Sequence, residues 1–431
     1  MTAPRAHRTP GRHLHWHLTR RRRQLLRAGA AAALLAVVGP GLLAGLSDDD
    51  PAGITTYSIL GADYGYQLLW VLVLATLALI LFHELGARMG IATGQGLIGL
   101  VRERYGVRWG VIALGALLVA NAGTMCAEFA GVAAALGLAG VSRYVSVPLA
   151  VAGISVLVLR GGLKRVEHVL LALSSVFVAY VVAAFLAHPD WRAAARGLVV
   201  PGVPDTRAAA LAAVATIGTT LAPWGLAFIQ SYVVDKRLRP RDLRLERVDV
   251  VVGAVLTGVI GAFVVIACAA TLGAAGVGID DARDAAGALE PLAGSAAATL
   301  FGVGLLGSGL LAASVLPLST AYSVTDAAGS EAQLDDPLGE ARLFYGSFAA
   351  IVAVAVVVVC IPGAPLIPIL FLSQTLNAVL LLPLIVFMRA LGRDRHLMGE
   401  HALGRIGSGA TAATIGLVAT SILTTVVLSL P

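Results

Sequence analysis

Three consecutive aspartates, Asp48, Asp49 and Asp50, interrupt an apolar segment of the sequence. A carboxylate at the centre of a membrane helix costs about 2.5–3.5 kcal/mol on insertion scales, so packing alone does not explain three in a row. Proline and glycine follow the aspartates, and both weaken a helix. We therefore predict that a membrane-spanning helix unwinds from Asp48 to Gly53. The alternative is that the helix ends at Ser47 and the acids lie in an outer loop.

A second apolar segment, "ATIGTTLAPWGLAFIQSYVVDK", is interrupted at its centre by Gly218, Pro223 and Gly225. A simple proline kink would explain this segment by itself. The two segments are the first and sixth spans of the chain, and they correspond if spans one to five and six to ten are two inverted repeats. Interrupted segments at corresponding positions indicate a transporter's binding site. Carboxylates and unwound carbonyl groups facing each other would suit a hard divalent cation.

The composition places these segments in a membrane. Of the 431 residues, 58% are hydrophobic and 13% are charged, whereas a soluble domain carries about 25% charged residues. We predict an all-α polytopic membrane protein with about eleven spans. The predicted spans begin near residues 28, 67, 109, 144, 166, 209, 249, 296, 343, 364 and 408.

Basic loops orient the chain and account for its net charge of +6, so this charge does not indicate nucleic-acid binding. Basic residues concentrate in the tail and in "RERYGVRWG", "RGGLKR", "DKRLRPRDLRLERVD" and "RALGRDRH", although "DAAGSEAQLDDPLGEAR" breaks the pattern. Since basic loops face the cytoplasm, we predict a cell-membrane protein with a cytoplasmic N-terminus and an external C-terminus. We divide it into a basic cytoplasmic tail (1–27), a ten-helix inverted-repeat core (28–390), and a cytoplasmic loop with an eleventh helix (391–431).

Patterns that would indicate an enzyme are incomplete. The G-x-G-x-x-G pattern between Gly302 and Gly309 follows no strand and indicates close helix packing. His83 and Glu84 begin an H-E-x-x-H pattern whose second histidine is replaced by Ala87. His83 and Glu84 either make a polar contact inside the helix bundle or assist the movement of an ion through the protein. No complete nucleophile–base pair or zinc motif is present, so we predict neither an enzyme nor a bound cofactor.

From about Gly39 to Gly399, the chain resembles the Nramp family of divalent-metal transporters. "GPGLLAGLSDDDPAG" resembles the family's first-helix motif, and "TIGTTLAPWGL" resembles its sixth-helix motif. "LFLSQTLNAVLLLPLIVFMRALGRDRHLMG" resembles its tenth helix and the following loop. The resemblance implies a LeuT-type fold of two five-helix inverted repeats, in which helices 1 and 6 are broken. It also implies metal transport by alternating access.

The resemblance assigns roles to particular residues. Asp50 matches the family's metal-binding aspartate. Gly53 replaces its binding asparagine, and Ala222 replaces the methionine whose sulfur contacts the ion. Trp224 replaces a neighbouring histidine, and Gln374 matches a polar position near the ion. The predicted metal-site residues are Asp48, Asp49, Asp50, Gly53, Glu128, Thr219, Ala222, Trp224 and Gln374.

Two positions bear on proton coupling and ion choice. Glu128 keeps a family glutamate, whereas Met125 stands where proton-coupled members carry an aspartate. Neither Met125 nor Trp224 can carry a proton at ordinary pH, so we expect weak coupling or none. "APWGLAFIQSYVVDKR" is similar to the Nramp-related magnesium transporters, so we expect Mg²⁺ to be favoured and Mn²⁺ accepted. The alternatives are a proton-coupled Mn²⁺/Fe²⁺ importer and a LeuT-like carrier of organic solutes. The sequence leaves the oligomeric state open.

Overall fold

A computed structural model describes residues 39–173, 178–202, 204, 206–279, 282–286, 294, 297–330 and 339–427. Every regular element within these ranges is a helix, which confirms the all-α prediction. The predicted tail, residues 1–27, and the start of the first span lie outside the described residues.

The helices of the first half of the chain surround the triple aspartate. They are α1 (Pro40–Ser47), α2 (Pro51–Tyr64), α3 (Leu69–Thr93), α4 (Leu97–Tyr105), α5 (Val107–Leu138), α6 (Arg143–Leu173), α7 (Val178–Leu186) and α8 (Trp191–Val199).

The second half repeats the pattern of a broken helix followed by long helices. Its helices are α9 (Arg207–Thr220), α10 (Pro223–Asp235), α11 (Leu243–Cys268), α12 (Ala282–Ala286), α13 (Ala297–Ala328), α14 (Arg342–Val359), α15 (Leu366–Arg393), α16 (Arg395–Met398) and α17 (Arg405–Val427). Short 3₁₀ segments occupy Pro240–Asp242 and Gly399–His401, and a π-helical turn occupies Ala269–Gly273.

Eight segments of the described chain are long and apolar enough to cross a membrane. They correspond to the predicted spans two, three and six to eleven. The predicted first span is divided between α1 and α2, and its predicted start near residue 28 lies outside the described residues. The loop predicted between spans four and five at "RGGLKR" is wrong, because α6 continues through it to Leu173. Two adjacent glycines cost a helix only about 1 kcal/mol each, and no proline stops α6 there.

The first predicted break is present and is shorter than the sequence indicated. Only Asp48, Asp49 and Asp50 separate α1 from α2. Pro51 occupies the first position of α2, where its missing N–H needs no partner. The predicted unwinding as far as Gly53 is wrong, because the Asp50 carboxylate accepts a hydrogen bond from the Gly53 N–H at 2.5 Å. This bond caps α2, so the helix begins before Gly53.

The second break has the same construction. Leu221 and Ala222 separate α9 from α10, and Pro223 occupies the first helical position of α10. Gly218 and Gly225 lie inside α9 and α10 rather than in the break. A single kinked helix is therefore excluded, and the predicted interruption of both spans is confirmed.

Pro51 is wedged between the two central helices α5 and α13. A Cβ on Gly131 of α5 would lie 2.2 Å from the Pro51 Cβ, and one on Gly309 of α13 would lie 3.1 Å from its Cγ. Only glycine permits such an approach, so Gly309 serves the helix packing that the sequence indicated. This packing fixes the start of α2 beside α5.

The backbones of α1 and α11 are in direct contact. The Asp249 carboxylate on α11 accepts hydrogen bonds from N–H groups at the start of α1, and therefore caps that helix. The donors are Gly39 at 3.2 Å, Gly41 at 2.7 Å and Leu42 at 3.3 Å. Further along α11, a Cβ on Gly253 would lie 2.3 Å from the Gly41 carbonyl oxygen.

Gly253→Ala should therefore destabilise the protein by about 1–3 kcal/mol, because the added methyl group forces α1 away from α11. Thermal unfolding of the purified protein in detergent measures the effect. Gly115→Ala is the matched control, since a Cβ there meets no atom of the described residues within 4 Å. Equal melting temperatures for the two variants would contradict the contact.

Candidate metal site

The two helix breaks lie against each other. The Tyr57 hydroxyl of α2 and the Thr220 hydroxyl of α9 are 2.9 Å apart and share a hydrogen bond. One residue earlier, the Thr219 hydroxyl oxygen lies 2.9 Å from the Cβ position of Gly53, the point where a methyl group would stand in an alanine. The halves of the chain therefore meet where both helices are interrupted.

Three oxygen atoms surround the Cβ position of Gly53. The Asp48 carbonyl oxygen and the Thr219 hydroxyl oxygen each lie 2.9 Å from it, and an Asp50 carboxylate oxygen lies 3.2 Å from it. A side chain at position 53 would contact all three atoms. A Cβ would be too close to these oxygens, so only glycine fits here; we call the group of three oxygen atoms the oxygen-lined space. The predicted residues Asp48, Asp50, Gly53 and Thr219 are thus brought together.

The three aspartates are buried, so the alternative of an outer loop is wrong. Asp48 is 1% exposed, Asp49 is 0% exposed and Asp50 is 3% exposed. The carboxylate oxygens of Asp48 and Asp49 have no hydrogen-bond partner. Among the buried residues of the described chain, none is a lysine or an arginine. This part of the interior is therefore acidic without a basic counter-charge.

Glu128 of α5 adds a fourth carboxyl group to this region. It is fully buried, and its carboxyl interacts with that of Asp50. Neither of its oxygens has a hydrogen-bond partner of ordinary geometry. Met125, one turn earlier, is buried and carries no titratable group. Glu128 is thus the titratable side chain that α5 places beside Asp50.

The half-helices give the breaks a favourable field for a cation. α1 and α9 end at the breaks, so their last carbonyl groups lack partners within their own helices. These ends carry partial negative charge. The Asp48 carbonyl at the oxygen-lined space belongs to this set. Carbonyl and carboxylate oxygens thus lie at the same place, as in discontinuous transporter helices.

The start of α10 lacks the donor atoms that a soft metal would prefer. Ala222 caps α10 with no side-chain hydrogen bond and is buried. The Trp224 carbonyl oxygen accepts a hydrogen bond from Ser319 at 2.7 Å, and its indole N–H has no partner. The start of α10 thus offers an alkyl group and an N–H donor, and neither can ligate a cation.

Gln374 joins a polar network between α15 and α5. Its side-chain oxygen accepts a hydrogen bond from Asn377 at 3.0 Å, and Asn377 donates to Thr124 at 2.9 Å. The main chain of Gln374 contacts α9, because a Cβ on Gly218 would lie 1.9 Å from the Gln374 carbonyl oxygen. Sequence reasoning missed Asn377 and Thr124, although polar residues inside apolar spans could have indicated them.

The carboxylates do not converge on one ion. In the described ranges, no group of three or more His, Cys, Asp or Glu side chains is placed to hold a metal. Glu84 is bound elsewhere, by Arg88 at 3.0 Å and Arg247 at 2.7 Å. A cation in the oxygen-lined space would therefore bind one carboxylate, a carbonyl, a hydroxyl and water.

The comparisons with known proteins agree on one family. The family model described as natural resistance-associated macrophage protein-like, Nramp, matches residues 41–428. A divalent metal cation transporter, MntH, of Burkholderia ambifaria is 37% identical over 296 residues, which are 65% of this chain and 65% of that protein. The match thus spans less than two thirds of this relative's length.

Solved structures show the same fold at lower identity. A mutant of the Eremococcus coleocola manganese transporter superposes with a TM-score of 0.74 at 22% identity, over 91% of this chain and 86% of that chain. Mhp1, a nucleobase-cation-symport-1 family transporter, superposes with a TM-score of 0.57 at 13% identity, over 91% of this chain and 90% of that chain. The LeuT-type fold that the sequence predicted is confirmed.

Asp50→Asn and Asp50→Ala separate the two tasks of this carboxylate. Asparagine keeps an acceptor for the Gly53 N–H, whereas alanine loses the cap and should cost about 0.5–2 kcal/mol of stability. Both variants remove the charge, so both should lose a large part of the rise in melting temperature that Mn²⁺ gives the natural protein.

The control is Asp190→Asn, at the exposed N-cap of α8, where Asp190 accepts from Arg192 at 2.9 Å. It should keep the full Mn²⁺ effect. An Asp50→Asn protein that Mn²⁺ stabilises as much as the natural chain would remove Asp50 from the site.

Proposed function

This chain belongs to the Nramp family, and on that premise we propose that it carries divalent metal cations across the cell membrane by alternating access. Its eight apolar segments make it a multi-pass membrane protein. The names of its relatives, divalent metal cation transporter and manganese transporter, support the substrate class. We infer transport of a substrate ion rather than catalysis.

The observation that carries this proposal is the oxygen-lined space. Asp50, the Asp48 carbonyl and Thr219 offer one negative charge and neutral oxygens at the meeting point of two broken helices. Hard divalent cations take oxygen ligands of this kind. The acidic interior around it has no buried lysine or arginine within the described ranges, so a divalent cation is the natural counter-charge.

We propose that Mg²⁺ is favoured and that Mn²⁺ is accepted. Mg²⁺ gives up its water reluctantly and prefers octahedral oxygen ligands at about 2.0–2.1 Å. Gly53 supplies no side-chain ligand, so an ion that binds these oxygens must keep part of its water shell. Ala222 supplies no thioether, a soft ligand that selects transition metals over hard cations. Mn²⁺ also accepts oxygen ligands, so this site should bind both ions.

The breaks also supply the movement that alternating access requires. Asp48–Asp50 join α1 to α2, and Leu221–Ala222 join α9 to α10. α1 and α10 lie on one side of the breaks, and α2 and α9 lie on the other. Each half-helix can change its angle at these residues without breaking internal hydrogen bonds. We propose that the cation is released when α1 separates from α11, since Asp249 holds the start of α1 in the structure.

A carrier of organic solutes is the less favoured alternative. Such a site needs an apolar or aromatic slot for the solute. Carboxylate, carbonyl and hydroxyl oxygens make up the oxygen-lined space. At the start of α10, Trp224 is a single large aromatic side chain and does not by itself form such a slot. These groups favour an ion.

Mg²⁺ in millimolar excess should compete with the uptake of trace Mn²⁺ into liposomes that contain the protein. Ala222→Met adds a soft ligand, and should raise the Mg²⁺ concentration needed for half inhibition by about tenfold, or 1.4 kcal/mol. Ala213→Met, on α9 before the break, controls for added bulk. Mn²⁺ uptake that ignores Mg²⁺ in the natural chain would favour a manganese carrier instead.

Metal uptake should acidify the liposome lumen by far less than one proton per ion. Neither Met125 nor Trp224 can exchange a proton, and Glu128 is the remaining candidate beside Asp50. A pH-sensitive dye inside the liposomes, read together with metal uptake, measures the ratio. Stoichiometric acidification that disappears in Glu128→Gln would overturn weak coupling and assign the proton to Glu128.

A further inference from the structure

His83, on α3, is buried without a hydrogen-bond partner. Its side chain is fully excluded from solvent, and neither ring nitrogen has a partner in the described structure. Burying a polar group without a partner is costly, because the group loses its hydrogen bonds to water and gains none in return. Its sequence neighbour Glu84 does not satisfy it, because Glu84 is bound by Arg88 and Arg247. Both ring nitrogens of His83 are therefore without a hydrogen bond inside the described structure.

The Asp48 carboxylate faces the same point as His83. A Cβ on Gly225 of α10 would lie 3.3 Å from the His83 Nε2 atom and 3.3 Å from an Asp48 carboxylate oxygen, with the other oxygen at 3.8 Å. The absence of a Cβ at Gly225 lets both side chains approach α10 closely. Both Asp48 carboxylate oxygens also lack a partner. Two groups without hydrogen-bond partners, the His83 imidazole and the Asp48 carboxylate, thus lie against the same glycine.

The point beside Gly225 is separate from the oxygen-lined space. Asp48 contributes its carbonyl oxygen beside Gly53 and its carboxylate beside Gly225. Gly53 lies on α2 and Gly225 lies on α10, so the two are on opposite sides of the first break.

We propose that Asp48 and His83 form a second cation subsite beside Gly225, here called the His83 subsite, which retains transition-metal ions such as Mn²⁺ and Co²⁺ and lets Mg²⁺ pass. This inference rests on the proposed function. Imidazole nitrogen binds first-row transition metals well, whereas Mg²⁺ suits carboxylate, carbonyl and water. Asp48 supplies the charge, His83 supplies the nitrogen, and water completes the coordination. The His83 subsite thus distinguishes ions that the oxygen-lined space accepts alike.

Pulsed electron paramagnetic resonance of the purified full chain loaded with Mn²⁺ tests this subsite directly, because a bound imidazole nitrogen modulates the Mn²⁺ signal. The natural chain should show this nitrogen coupling, and His83→Gln should lose it. Excess Mg²⁺ should displace Mn²⁺ from the oxygen-lined space and leave the nitrogen-coupled signal in place. Asp50→Asn should also keep the coupling, since it empties the first space alone.

Calorimetric titration with Co²⁺ and Mg²⁺ gives a second reading. His83→Gln should weaken the binding of one Co²⁺ by about tenfold or more and leave Mg²⁺ affinity within about twofold. Gly225→Ala should act in the same way, because its methyl group would lie 3.3 Å from both donors. Gly225→Ala keeps both the His83 and the Asp48 side chains. If it weakens Co²⁺ binding as His83→Gln does, the loss of Co²⁺ affinity in His83→Gln is not a result of misfolding. His396→Ala, at an exposed histidine, is the control.

The outcomes separate this inference from the proposed function. If Mn²⁺ does not bind the natural chain at all, both fail. If Mn²⁺ binds with no nitrogen coupling, or with coupling that persists in His83→Gln, the oxygen-lined space stands and the His83 subsite is overturned.

Discussion

The structure around the helix breaks depends on four carboxyl groups that are buried there, in a described chain that has no buried lysine or arginine. Charges cannot remain in such an interior unless something compensates them. Local geometry compensates only Asp50, through its hydrogen bond from the Gly53 N–H, whereas the carboxylate oxygens of Asp48, Asp49 and Glu128 have no hydrogen-bond partner. The carboxylates that have no partner in the protein can therefore attract a cation, and the energetic cost of burying them serves ion binding.

The helix breaks follow from that constraint. A continuous helix would have placed the aspartates at successive angles around its axis, with their main-chain groups already paired. Ending α1 before them and starting α2 at Pro51 frees a carbonyl and aligns it with the Asp50 carboxylate. The second break, at Pro223, presents Thr219 to the same point. Glycines at 131 and 309 then allow the long helices to enclose the site closely.

The sequence predicted the all-helical fold, the two breaks and most of the residues at the oxygen-lined space, because prolines and buried acids have strong local effects. It did not predict where the breaks end, since the cap between Asp50 and Gly53 is a matter of side-chain geometry. It also could not show that Asp48 directs its carbonyl and its carboxylate to different places. That division depends on how α10 and α3 pack, which a single sequence does not record. The continuous helix α6 was missed because glycine pairs resemble loops in sequence.

The location of a bound ion tests the account most directly. Crystals of the protein soaked in Mn²⁺ and measured at the manganese absorption edge would reveal the ion by anomalous scattering. We expect a peak in contact with the Asp50 carboxylate, the Asp48 carbonyl oxygen and the Thr219 hydroxyl, and we expect Asp50→Asn crystals to lose it. A peak confined to the protein surface, or one on the Asp48 carbonyl oxygen and the Thr219 hydroxyl that survives Asp50→Asn, would contradict the claim that the transported ion balances the Asp50 carboxylate.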